Sequence, residues 1–101
     1  MHTKTRLMQR HAHRCKHEML RDLLELLTKT PMNATNLMIK ANLNNYRIQP
    51  LLRQLVMNGS IEIADYKSHL MRPRYRITSS GKRFYEALCL MLHLAKMHQP
   101  L

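Results

Sequence analysis

The stretch from Thr35 to Gly59, TNLMIKANLNNYRIQPLLRQLVMNG, decides the fold. Asn33 and Thr35 offer cap oxygens ahead of a short apolar segment, Leu37, Met38, Ile39 and Ala41, which reads as a helix of two turns ending near Asn42. Leu43 follows as a buried plug. Asn44 or Asn45 then caps a second helix whose core face is Ile48, Leu51 or Leu52, Leu55 and Val56. Asn58-Gly59 stops it, where a left-handed residue is wanted. Two short helices joined by a tight turn make a helix-turn-helix pattern. Pro50 lies inside the second of them and lacks the N–H that would bond the Tyr46 carbonyl, so this helix is expected to start late or to bend there.

Working outward, the upstream residues Leu20, Leu23, Leu24 and Leu27 recur at i, i+3, i+4, i+7, one stripe of an amphipathic helix from about Cys15 to Lys29. Thr30-Pro31 ends it. Downstream of Gly59 the period changes to alternation: Ile61 and Ile63 face one way, Glu62 and Ala64 the other, as in a strand. After a polar, basic stretch, Tyr75 and Ile77 alternate with Arg74 and Arg76 in a returning antiparallel strand, and Pro73 suggests that this strand starts at an edge. Thr78, Ser79 or Ser80 caps a last helix from about Gly81 to His98, which Gln99-Pro100 ends. The order is helix, helix, helix, hairpin, helix.

Charge indicates the kind of partner. The 101 residues hold 17 Lys and Arg against 6 Asp and Glu, a net charge of +11. A polyanion is the natural ligand, because each Lys or Arg that neutralises a phosphate releases condensed counterions. An anionic membrane surface competes for that reading, but no apolar run approaches a membrane span and no secretory leader is evident. A cytoplasmic location follows as an expectation, nucleoid-associated, or in a host cytoplasm for a viral chain. Cys15 and Cys89, far apart, read as reduced thiols.

The residues that carry a family resemblance are Thr35-Asn36-Leu37-Met38-Ile39-Lys40-Ala41-Asn42-Leu43, then Leu52, Leu55 and Asn58-Gly59-Ser60-Ile61-Glu62, then Tyr75-Arg76-Ile77-Thr78 with Gly81-Lys82. In this combination the chain resembles the archaeal winged helix-turn-helix DNA-binding regulators over roughly Leu20 to Leu92. The resemblance implies an α+β, mostly helical fold of three helices, a β-hairpin wing and a C-terminal helix. It also implies double-stranded DNA as partner, no cofactor, and a dimer formed through the terminal helix, which in basic, chromatin-like members builds an antiparallel coiled coil. The terminal helix here is shorter than in those members. On this plan residues 1–14 are a basic arm or helix extension, 15–78 the winged domain and 79–101 the dimer helix.

A recognition helix lies in the major groove, where base edges offer distinct donor and acceptor patterns. Arg47 and Gln49 are the expected base readers, Asn44 lies beside them at the helix start, and Asn45, Tyr46 and Arg53 are placed at the phosphate backbone. Lys67, His69, Arg72, Arg74 and Arg76 give the wing a basic surface. Thr35 and Lys40, with Arg6, Arg10 and Arg14 of the arm, add backbone contacts. A solvated amphipathic face is the plain alternative for each of these polar residues. On the last helix, Phe84, Leu88, Leu90, Met91, Leu94 and Met97 are the expected dimer interface, since apolar groups cover more than one of its faces.

Three functions remain open at this level: a dimeric transcriptional regulator, an architectural DNA-coating protein with little sequence preference, and a winged-helix protein-interaction module. RNA binding is disfavoured by the scarcity of aromatic side chains. His13 and His17 flank Cys15 but no third and fourth ligand follow, so no metal site is expected. With six carboxylates, no Gly-rich phosphate loop and no nucleophile beside a base, neither an enzyme nor a small-molecule substrate is expected.

Overall fold

A computed structural model describes residues 14–65 and 72–97. Helix α1 spans Lys16–Leu27, strand β1 Met32–Asn33, helix α2 Ala34–Lys40, helix α3 Asn45–Met57, strand β2 Ile61–Asp65, strand β3 Arg74–Ile77 and helix α4 Ser79–Met97. Local chemistry sets most boundaries. The Glu18 carboxylate accepts the Cys15 N–H (3.1 Å) at the start of α1. Asn33 Oδ1 accepts Asn36 N–H (2.8 Å) to cap α2, and Asn44 Oδ1 accepts Arg47 N–H (2.8 Å) to cap α3. Thr78 Oγ1 accepts Gly81 N–H (2.9 Å) at the head of α4. Asn42, at φ +56°, turns the chain between α2 and α3, and Gly59, at φ +78°, ends α3.

Of the two outcomes expected at Pro50, a late start or a bend, the late start does not occur: α3 begins at Asn45 and passes through Pro50 to Met57. Ile48, Leu51, Leu52 and Leu55 are buried and hold it in register, while Pro50, which cannot serve the Tyr46 carbonyl, lies with Tyr46 on the exposed side of the helix. The edge position expected for β3 is also overturned. The sheet order is β1-β3-β2, antiparallel throughout, with Met32 opposite Tyr75 and Ile61 opposite Ile77. Two residues after Pro31 suffice to add a third strand, so β3 is central and Pro73 stands just before its pairing.

The core joins Leu20, Leu23, Leu24 and Leu27 of α1 with Leu37, Ile48, Leu52, Leu55, Ile61 and Leu88. α4 lies along α1 and contributes Leu88, which is 2% exposed. Leu88 is therefore removed from the expected dimer face, and Phe84 with it, since Phe84 packs half-buried against the same cluster. One face of α4 thus enters the core, while its large apolar side chains Leu90, Met91, Leu94 and Met97 stay exposed.

Arg14 is likewise turned inward and not outward to a ligand. Its Nη1 donates to Asp22 Oδ2 (2.8 Å), and its Nη2 to the carbonyls of Ala41 (2.8 Å) and Asn42 (3.2 Å). It thereby bridges α1 to the open carbonyl end of α2 and to the turn that launches α3. No helix among the described residues is long and apolar enough to cross a membrane.

Candidate nucleic-acid interface

Four buried apolar residues fix which way α3 faces. At about 100° per residue, Tyr46, Gln49 and Arg53 fall at i, i+3, i+7 on the opposite, exposed side. Tyr46 is 89% exposed, more than any other large hydrophobic side chain among the described residues. On the flank toward the wing, a cleft of about 210 Å³ gathers Thr35, Asn45, Gln49, Arg72 and Tyr75. Gln49 Nε2 donates to Asn45 Oδ1 (3.1 Å), aligning the two amides along the helix. Arg72 Nη1 donates to the Thr35 hydroxyl, so the C-terminal leg of the wing is joined to the first turn of α2. Residues 37 apart in the chain thus meet at one cleft, whose lining also takes in Ala34, Met38 and Pro73, with a cation at its edge.

Not every expected site residue joins this surface. Arg47 and Gln49, expected to read bases together, are two positions apart and so about 200° apart around the helix. Arg47 Nη1 instead lies 3.9 Å from Met19 Sδ on α1. It lines a second cleft, of about 420 Å³, with Lys16, Met19, Tyr46 and Gln54. Lys16 joins α3 here without having been expected to; the i, i+4, i+7 spacing of Arg47, Leu51 and Gln54 is the sequence signal for a face turned toward α1. Asn44 spends its side-chain oxygen on the cap of α3. Lys40 is exposed in the last turn of α2, at the far end from Thr35.

Within the wing, Arg74 and Arg76 point outward and Tyr75 and Ile77 inward, as the alternation requires. Arg76 is not an available cation: its Nε and Nη2 grip Glu62 Oε2 of the paired strand at 2.9 and 2.8 Å. The pair is about half exposed, so it adds little stability, but it neutralises one of the expected contacts. Lys67 and His69 lie outside the described residues.

The winged helix-turn-helix family matches residues 13–96, and the chain belongs to that family. Among solved structures it is similar to Sso10a-2, a DNA-binding protein from Sulfolobus solfataricus, at 24% identity and a TM-score of 0.71 over 82% of this chain and 83% of that one. A transcriptional regulator from Clostridium thermocellum superposes at 22% identity and a TM-score of 0.68, over 77% of this chain and 85% of that one. The PcaV transcriptional regulator from Streptomyces coelicolor does so at 19% identity and a TM-score of 0.66, over 97% and 76%. A comparison with curated proteins finds no match.

Proposed function

We propose that this protein binds double-stranded DNA as a dimeric transcriptional regulator and carries no catalytic activity. The observation that carries the reading is the polar stripe Tyr46, Gln49 and Arg53 on the exposed side of α3, flanked by the Thr35–Arg72 contact of α2 and wing. In the groove, that stripe faces base edges, with Gln49 offering an amide suited to adenine and Arg53 a guanidinium suited to guanine. Asn45, Thr35 and Arg72 then lie against the backbone on the wing side. Family membership and a net charge of +11 support the same partner, as do three neighbours described as a DNA-binding protein and transcriptional regulators. Its place is the compartment that holds the DNA, the cytoplasm of a cell without a nucleus.

The dimer rests on α4. Leu90, Leu94 and Met97, spaced four and three apart as in a coiled-coil seam, are 59%, 44% and 65% exposed, and a second α4 is the simplest cover for that stripe. A dimer would set two recognition helices against half-sites about one helical turn apart. The high positive charge favours a second reading, an architectural protein that coats DNA with little preference.

Selection of bound fragments from a random duplex pool, followed by affinity measurement across a salt series, tests both. Enrichment of a two-fold symmetric site over competitor DNA supports the regulator. Tight, strongly salt-dependent binding without enrichment supports the architectural reading, and no salt-dependent binding to duplex DNA overturns both.

A further inference from the structure

Resting on the DNA-binding reading above, this inference concerns the flank of α3 that faces away from the wing. We propose that Lys16 and Arg47 form a second phosphate contact, gripping the DNA strand opposite the one held by Thr35 and Arg72.

A helix with its side chains is about 10–12 Å across and the major groove of B-DNA is about 12 Å wide, so a docked helix fills the groove and turns a flank to each strand. On α3 the wing-side flank carries Asn45 and Gln49, while the other carries Arg47 and Gln54, beside the first turn of α1 with Lys16. Arg47 cannot reach the groove floor from the same angle as Gln49. Its guanidinium rests on Met19 Sδ at 3.9 Å, which holds the charge along the seam between α1 and α3.

Among the described residues nothing neutralises this pair of cations. The α1 carboxylates have other partners: Glu18 accepts the Cys15 N–H, Asp22 is held by Arg14 and Arg21, and Glu25 accepts the Tyr85 hydroxyl. Among the described residues no carboxylate pairs with Lys16 or Arg47. Arg76, by contrast, is matched by Glu62 on the outer face of the wing. The cleft that the two cations share is floored by the apolar side chains of Met19 and Leu51. Two uncompensated cations on a shared apolar floor, at the height of the groove wall, suit a backbone phosphate, which asks for charge and not for a particular base.

The test measures affinity for a short random-sequence duplex and for the best selected site as salt is varied. Arg47→Ala and Lys16→Ala should each lower the steepness of the log affinity against log salt plot by about 0.9, and the double variant by about 1.8, at every DNA sequence alike. Arg47→Lys should keep both the slope and the selected sequence, because a phosphate accepts a point charge where a guanine edge needs the two-pronged guanidinium. Melting curves of the variants should match the parent, since both side chains are exposed. An unchanged slope in the double variant overturns the proposal, as does a changed base preference in Arg47→Lys. Failure of the unsubstituted protein to bind any duplex would instead sink the DNA-binding reading itself.

Discussion

Gly81 sits two residues into α4, where the chain leaves the wing, and replacing it with Ala should destabilise the fold although alanine is the better helix former. A Cβ built at Gly81 would lie 2.0 Å from the Ser60 carbonyl oxygen and 2.8 Å from Ile77 Cγ1. The obstacle is backbone and cannot swing aside. That same carbonyl accepts Thr78 N–H (3.0 Å) and the Thr78 hydroxyl (3.1 Å), so moving α4 clear of it stretches two bonds that tie the helix to the end of α3. Overpacking costs roughly 1–3 kcal/mol and the two weakened bonds about 1 kcal/mol each, against a propensity gain of about 1 kcal/mol. The net is a loss of about 3 kcal/mol, which for a domain of this size lowers Tm by roughly 12–24 °C. Thermal unfolding followed by far-UV circular dichroism reads it, with Lys82→Ala as a neighbouring exposed control. A Gly81→Ala melt at or above the parent Tm would refute the close-approach argument.

Arg14→Ala removes donors from the Ala41 and Asn42 carbonyls and should cost about 2 kcal/mol in denaturant unfolding; a neutral result would mean that the turn into α3 holds without it. The Glu18 carboxyl is held below its ordinary value, first by the bond it accepts from the Cys15 backbone N–H. Its contribution is thus present above the unfolded carboxylate pKa and lost as pH falls through the lowered folded value, so acid should lower the parent Tm more than that of Glu18→Ala. Parallel acid profiles of the two proteins would contradict this. Leu90→Glu with Leu94→Glu should convert a dimer to a monomer in sedimentation without lowering stability, whereas Leu88→Ala should cost about 2–5 kcal/mol; the reverse pattern would exchange the two faces of α4.

Much of the fold was legible because it is written in short-range chemistry. Asn33 and Asn44 cap the helices they precede, Pro31 and Gly59 end others, and the leucines of α1 mark a buried stripe, all within a few residues of the atoms they contact. The exposed polar side of α3 followed from the same periodicity, and so did the outward arginines of β3. Harder to see was how cations would be divided among partners. Arg72 reaches Thr35, Arg76 turns to Glu62 and Arg14 to the turn at Asn42, each choice made across the chain by whichever acceptor the fold brings near.

By itself, then, the sequence determined the helix-turn-helix, the hairpin and a basic character, since capping, periodicity and net charge need no knowledge of distant neighbours. Only the tertiary structure decided that Met32–Asn33 would make β3 a central strand, that Leu88 would enter the core while Leu90 stayed outside it, and that Arg47 would lie against Met19 on the opposite flank from Gln49. Strand pairing, the choice between two apolar faces of one helix and the direction of a long charged side chain are all set by what packs alongside. That information is non-local, and it exists only once α1, α4 and the sheet have closed around α3.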